Sequence, residues 1–306
     1  MRLSDIKKDW IRNKSVYFLA IPLLLYFFIF QYLPIGGMTL AFQHYDPRGG
    51  TVGSEWIGIS NFFNFFSSYY FGRLIRNTLI MSVYSIIINF PAPIVLALLL
   101  NEMENQIFKK TVQTLSYMPY FVSTVVICGI IQDFVGLNGP ITAALVKIGM
   151  IPKAVNLLTL RDFWTFRTIF VFSGMWQGTG YGSIIYLAIL SSVDQELYEA
   201  AKIDGAGRWK QTLHVTIPGI SSMIMMMVIM QASSLLSVAM DKIILLYSPA
   251  VYEVADVLMS FVYRSGIVSG EYGYSTAVQI FNTVVSMILL VTANALSRKY
   301  SEFSLF

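Results

Sequence analysis

Between Ser192 and Pro218 the chain reads S-V-D-Q-E-L-Y-E-A-A-K-I-D-G-A-G-R-W-K-Q-T-L-H-V-T-I-P. Acidic, basic, small and glycine residues fall there at spacings suited to docking another surface. Ser192, with Gln195 three residues on, opens a capping box, and Asp194 and Glu196 suit the positive end of a helix. Leu197, Ala200, Ala201 and Asp204 then share one face. Asp204–Gly205 is a turn signal, because glycine takes positive φ without a Cβ clash. A basic second helix from Arg208 leads into an apolar run at Pro218. The pattern predicts helix, tight turn and helix, with small alanines that admit close approach. On these residues alone, an amphipathic segment resting on a membrane answers equally well.

Catalytic chemistry finds no foothold. There is no G-x-x-x-x-G-K-[ST] loop to cradle nucleotide phosphates, no H-E-x-x-H and no G-x-S-x-G elbow. The lone Cys128 has no intrachain partner, and His44 and His214 are too few for a histidine-based zinc cluster. No catalytic or metal-binding residue is therefore assigned. Amides and flat aromatic faces, which can line the path of a polar solute, occur in apolar runs as Tyr117, Tyr120, Trp176, Gln177 and Gln231. Each of these also fits plain packing or an interfacial position. Gly174, Gly178 and Gly182 form overlapping G-x-x-x-G steps, read as close helix packing or as a backbone opening beside a pathway. The methionines clustered at Met223–Met230 read as packing and not as a metal route.

The elements that must position these residues are membrane spans. The 306 residues are 56% hydrophobic and 12% charged, where soluble domains carry about 25% charged residues. Mean hydropathy is +0.63. Lipid is the solvent that suits such a chain, and the net charge of +4 does not argue for nucleic acid. Six uncharged runs reach the roughly 20 residues a span requires: Ser15–Tyr45, Asn77–Asn101, Thr111–Gln132, Thr168–Val193, Gln211–Met240 and Tyr272–Ser297. Phe62–Gly72 and Gly136–Val146 are too short and read as interfacial, with Phe65 among the aromatics placed at headgroup level. Within the spans only neutral polar groups are expected, so the work of moving a solute comes from outside the chain. Lys and Arg are denser in the segments that share the side of the two termini, which places both termini in the cytoplasm. The division expected is a cytoplasmic segment 1–14, a transmembrane unit 15–297 with the docking loop at 192–218, and a cytoplasmic tail 298–306.

The stretch Glu199–Ala206, E-A-A-K-I-D-G-A, followed by Ile217–Pro218, resembles the EAA loop of bacterial ABC importer permeases. Ile-Pro stands here where that family often has Leu-Pro. Trp56–Ile57–Gly58 with Asn61–Phe62, then Arg76–Asn77–Thr78, resemble the entry to the second span in sugar permeases, and Pro119–Tyr120–Phe121–Val122–Ser123 and Gly136–Leu137–Asn138–Gly139 the third span and its outer loop, while Phe261–Val262–Tyr263–Arg264 and Ser297–Arg298–Lys299 are similar to the branch that imports polysaccharide fragments. That branch often has Phe-Glu-Gln after the fifth span, where this chain has Met240–Asp241–Lys242, and no role is carried over to them. The resemblance implies an all-α type I permease core of six transmembrane helices with a cytoplasmic coupling helix, in the bacterial cell membrane. It implies cytoplasmic ATP-binding subunits that hold ATP and Mg, a second related permease making a heterodimer, and an extracellular solute-binding protein, while this chain itself binds no cofactor. Glu199, Ala200, Ala201, Asp204, Gly205 and Ala206 would contact or shape the contact with the ATPase. Two other readings are a membrane-embedded enzyme acting on lipid-linked sugars and a passive channel. Asp241, Glu253, Asp256 and Glu271, which the enzyme would draw on, have no recognisable ligand spacing.

Overall fold

The computed structural model describes residue 10 and residues 12–300. Of the expected terminal segments, residues 1–9, 11 and 301–306 lie outside the described residues. The described residues are mostly helical. Helix α1 is Lys14–Phe42, α2 is Ser60–Phe66, and α3 is Tyr69–Asn101. Next come α4 Gln106–Tyr117, α5 Thr124–Val135 and α6 Pro140–Lys147. The long α7 is Thr165–Leu190 and the short α8 is Gln195–Ile203. Helices α9 Arg208–Gly219 and α10 Ser221–Ser233 follow. The last three are α11 Met240–Leu246, α12 Leu258–Val268 and α13 Tyr272–Tyr300. One small hairpin pairs Gln43 with Trp56 and His44 with Glu55.

Among the described residues, four helical segments are long and apolar enough to cross a membrane: Lys14–Phe42, Tyr69–Asn101, Thr124–Lys147 and Tyr272–Arg298. Arg208–Gly219 and Ser221–Ala232 make a fifth if that pair, bent by 62°, is one span. The first, second and last match expected runs. The expected third run, Thr111–Gln132, is divided, because Met118–Phe121 forms a 3-10 turn around Pro119, which has no N–H to continue a helix. Ser123 then caps α5 by accepting from the Val126 N–H at 3.4 Å. Gly136–Val146, expected as a separate interfacial piece, instead joins α5 through a tight turn into the Thr124–Lys147 segment. The expected fourth run is α7, whose 26 residues give about 39 Å of helix. Ser173, Gln177, Thr179 and its glycines dilute its hydropathy.

Helix α7 lies at the centre, packed along both halves of α3, while α13 packs on the end of α1 and on α10. Three apolar clusters hold the bundle. One joins α5, the start of α7 and the loops around Val251–Val257. A second surrounds Phe65 with Leu74, Leu258, Phe261 and Val278. The third, Ala97, Tyr186, Leu190 and Ile220, fastens the far ends of α3 and α7 to α10. Phe65 is fully buried and packs edge-on against Phe71 at 5.1 Å, which corrects its expected headgroup position. Phe63, Phe66, Tyr69 and Tyr70 do stay exposed. Lys14–Phe27 buries no residue at all, so its apolar surface must be covered from outside this fold.

Candidate functional site

Helix α3 runs from Tyr69 to Asn101 and α7 from Thr165 to Leu190, so their starts mark one end of the bundle and their finishes the other. Helix α8 sits at the finishing end. Its N-cap is Asp194, whose Oδ1 accepts from the Glu196 N–H at 3.0 Å, and not Ser192 as the capping-box reading expected. Ser192 instead donates its hydroxyl to the Ile189 carbonyl at 2.8 Å, because α7 ends just before it and leaves carbonyls to satisfy. At the other end of α8, Gly205 takes φ +76°. Its N–H bonds the Lys202 carbonyl at 3.0 Å, and the Ala206 N–H bonds the Ala201 carbonyl at 2.8 Å. That pair of bonds is a Schellman closure, and the glycine occupies the left-handed position it demands.

The rest of the turn is tied down by side chains. Gln211 donates to the Ala206 carbonyl at 2.7 Å, and the Tyr198 hydroxyl donates to Thr216 at 3.0 Å. Glu199, Ala200, Asp204 and Gly205 are exposed, while Ala201 and Ala206 are half-buried. Two large apolar residues that sequence reasoning missed stand beside them: Ile203 is 86% exposed and Trp209 74%. Arg208 pairs with Glu104 at 2.8 Å, both side chains being mostly in solvent. Such a pair contributes at most about 1 kcal/mol. Arg208→Ala should therefore leave the melting temperature of the detergent-purified chain unchanged within error, as differential scanning fluorimetry will test.

A cavity of about 240 Å³ opens between α3, α7, α10 and α11. Of the five sequence-predicted pathway residues, Gln177 and Gln231 line it together. Trp176 faces away into an apolar groove with Pro91, Leu99 and Phe172. Tyr120 is stacked on Tyr181 at 3.9 Å between ring centroids, and Tyr117 sits half-buried at the end of α4. The residue that sequence reasoning passed over is Lys242. It is 5% exposed, lines the cavity, and has Phe170 at 5.4 Å from its Nζ. Its signal was the apolar run Ile243–Leu246 that follows it, which carries a lysine inside the fold and not at a span's edge.

The glycines of α7 divide by role. A Cβ on Gly174 would come within 3.3 Å of Asn89 Nδ2 and 3.7 Å of Lys242 Nζ, so this glycine opens the cavity wall. A Cβ on Gly182 would lie 3.0 Å from Pro93, which is close packing. Gly178 meets nothing, and the closest approach belongs to Gly180 against the Ser116 carbonyl.

The opposite end of the bundle carries buried charge, all of it outside the runs in which only neutral groups were expected. Asp256 is fully buried and takes a two-pronged Arg264 at 2.6 and 3.0 Å, with Arg73 at 3.6 Å and the Ser260 hydroxyl donating at 2.8 Å. Asn77 donates to the carbonyls of Glu253 and Asp256, at 2.9 and 3.1 Å. Arg167, fully buried, donates to Asn77 Oδ1 and to the Phe163 carbonyl, each at 2.8 Å. The uncharged-run reading began the fourth span at Thr168, but the helix starts at Thr165 and carries Arg167 inside. Among the described residues no cluster of His, Cys, Asp and Glu is placed to hold a metal ion.

With this geometry in place, residues 69–302 match the family described as binding-protein-dependent transport system inner membrane component. The chain is 40% identical to protein LplB of Bacillus subtilis (strain 168), over 96% of this chain and 92% of that one. It is 39% identical to the polygalacturonan/rhamnogalacturonan transport system permease protein YteP of the same organism, over 97% and 91%. A crystal structure of a bacterial alginate ABC transporter, in complex with alginate pentasaccharide-bound periplasmic protein, contains a chain with TM-score 0.88 and 36% identity, covering 100% of both. A second, of a bacterial ABC transporter involved in the import of the acidic polysaccharide alginate, gives TM-score 0.87 and 37% identity over 97% and 98%.

Proposed function

This chain belongs to the family of binding-protein-dependent transport system inner membrane components, and from that premise we propose how its parts serve import. It is a permease subunit of a bacterial ABC importer, with ATP hydrolysed by a separate subunit. The readings as an enzyme and as a passive channel fall with that membership. In the proposed arrangement α7 is the sixth span, beside the four long apolar segments and the bent α9–α10 pair, and both termini face the cytoplasm. A second, related permease completes the pathway, and a binding protein delivers the solute from outside. The solute is an oligosaccharide released from a polysaccharide, a reading supported by the polygalacturonan/rhamnogalacturonan permease among the relatives and by the alginate pentasaccharide on the periplasmic protein of the alginate transporter.

Helix α8 is the coupling helix in this reading, and the unit 192–218 carries it. The observation that supports this best is an exposed, doubly closed helix–turn with Ile203 and Trp209 uncovered beside it. A helix that buries none of its own residues gains nothing from its fold by showing such side chains to water. A partner surface explains them, with Glu199 offered to a basic group and Ala200 and Ala201 admitting close approach. ATP and Mg bound by that partner would draw α8 inward and rock the spans as a rigid body. The Gln177–Gln231 cavity is the solute's passage, while Tyr117, Tyr120 and Trp176 remain outside it.

The test is a detergent pull-down of the tagged chain from its native membrane, with mass spectrometry of what co-purifies. Wild type should bring down a P-loop ATPase and a second permease, and Glu199→Lys should keep the permease and lose the ATPase. Equal recovery of the ATPase by both would remove Glu199 from the coupling surface.

A further inference from the structure

We propose that Lys242 reads the charge of the solute, its ammonium pairing with a carboxylate borne on a sugar ring in the α3–α7–α10–α11 cavity. This deepens the oligosaccharide reading above and rests on it. Lys242 is only 5% exposed, and its Nζ has no hydrogen-bond partner and no ion pair among the described residues. Lysines are almost never this buried unless paired, because an ammonium out of water demands compensation. The Phe170 ring offers a cation–π contact on one side, and the buried Cys128 thiol lies within electrostatic reach without bonding it. The missing partner is one the fold leaves room for.

Three further features aim the site at a sugar acid. The Asn89 Oδ1 is also buried without a partner, and Gly174 removes the one Cβ that would crowd both Asn89 and Lys242. Gln177 and Gln231 add amides that can donate to and accept from hydroxyls, and Phe170 a flat apolar face for ring C–H groups. The cavity contains a single cation and no guanidinium fork. That balance matches a monoanionic carboxylate, whereas a phosphate dianion calls for more positive charge and more donors. At about 240 Å³ the cavity is smaller than the ~300–1,000 Å³ of drug-sized sites, so it takes one ring of a longer chain at a time.

The experiment uses the complete importer in proteoliposomes: this chain with its ATPase, partner permease and binding protein. Uptake of an oligogalacturonate and of a sugar phosphate is measured for wild type, Lys242→Met, Lys242→Gln and Lys242→Arg. Basal ATP hydrolysis and subunit recovery are checked for each. The expected result is at least a tenfold loss of oligogalacturonate uptake in both neutral variants, with assembly and basal hydrolysis intact, and substantial rescue by Lys242→Arg. Wild-type uptake by either neutral variant, or an arginine variant as inactive as the methionine one, would overturn the proposal while leaving the oligosaccharide reading in place. A wild-type importer that takes up the sugar phosphate in preference would overturn the carboxylate assignment. A wild-type importer that moves no saccharide at all would remove the oligosaccharide reading itself, and this proposal with it.

Discussion

Gly205→Val will leave an importer that assembles in the membrane but no longer links ATP hydrolysis to uptake. The residue sits at φ +76°, where β-branched side chains are outliers. A Cβ there meets nothing within 4 Å, so the penalty is one of backbone conformation and not of crowding. Left-handed conformation costs an ordinary residue about 1–2 kcal/mol, and valine more. The chain escapes that cost by leaving the left-handed region. It then loses the bonds from Gly205 to Lys202 and from Ala206 to Ala201, and the Gln211 contact on Ala206 with them. Helix α8 would keep its Asp194 cap but lose its fixed angle to α9. Coupling suffers before folding does, because α8 buries nothing that the bundle needs.

Reconstituted importer carrying the valine variant should hydrolyse ATP at a rate that no longer responds to loaded binding protein, with uptake down tenfold or more. Gly205→Asn serves as the control, since asparagine tolerates the left-handed region and also closes helices. It should retain most uptake. Normal uptake by the valine variant at normal expression would sink the assignment of α8 as the coupling helix.

Asp256→Ala should act at the other end of the bundle and on stability instead of coupling. Its carboxylate is fully buried and holds the fork of Arg264, with Arg73 and Ser260 beside it. Removing one partner of such a pair leaves a buried charge uncompensated, at a cost of about 3–5 kcal/mol. The loss propagates, since the segment around Asp256 also receives Asn77, which in turn holds Arg167 of α7. The melting temperature of the purified chain and its yield of monodisperse protein should both fall sharply. The double variant Asp256→Ala with Arg264→Met should recover part of that loss, because the stranded guanidinium is gone. If the single variant melts with wild type, the cluster is not what fastens α3, α7 and α12 together.

Two motifs legible in the sequence turn out to meet in this cluster. Arg76–Asn77–Thr78 supplies Asn77, and Thr78, whose hydroxyl accepts the Leu258 N–H at 3.0 Å. Phe261–Val262–Tyr263–Arg264 supplies the fork on Asp256. Asn61, of the Trp56–Phe62 stretch, instead donates to the Ala41 carbonyl at 2.9 Å and ties α2 to the end of α1. Each motif was visible as a pattern, but nothing in a linear pattern said that Asn77 would face residues 176 and 179 positions away.

By itself the sequence determined the solvent, the class and the turn that closes α8. A chain with 12% charged residues has too little charge to cover a water-facing surface, whatever its topology. Gly205 declared its turn because only local sterics matter there, and local sterics are written in neighbouring residues. Only the tertiary structure decided the cavity. Asn89, Gly174, Gln177, Gln231 and Lys242 come from four helices, and no spacing along the chain relates them. In a soluble helix the polar stripe marks which face turns outward, but lipid is as apolar as a core, so an apolar face here can turn either to lipid or inward and the marking is lost. Gln177 and Trp176 are neighbours in sequence, and packing alone sent one into the cavity and the other into the apolar groove.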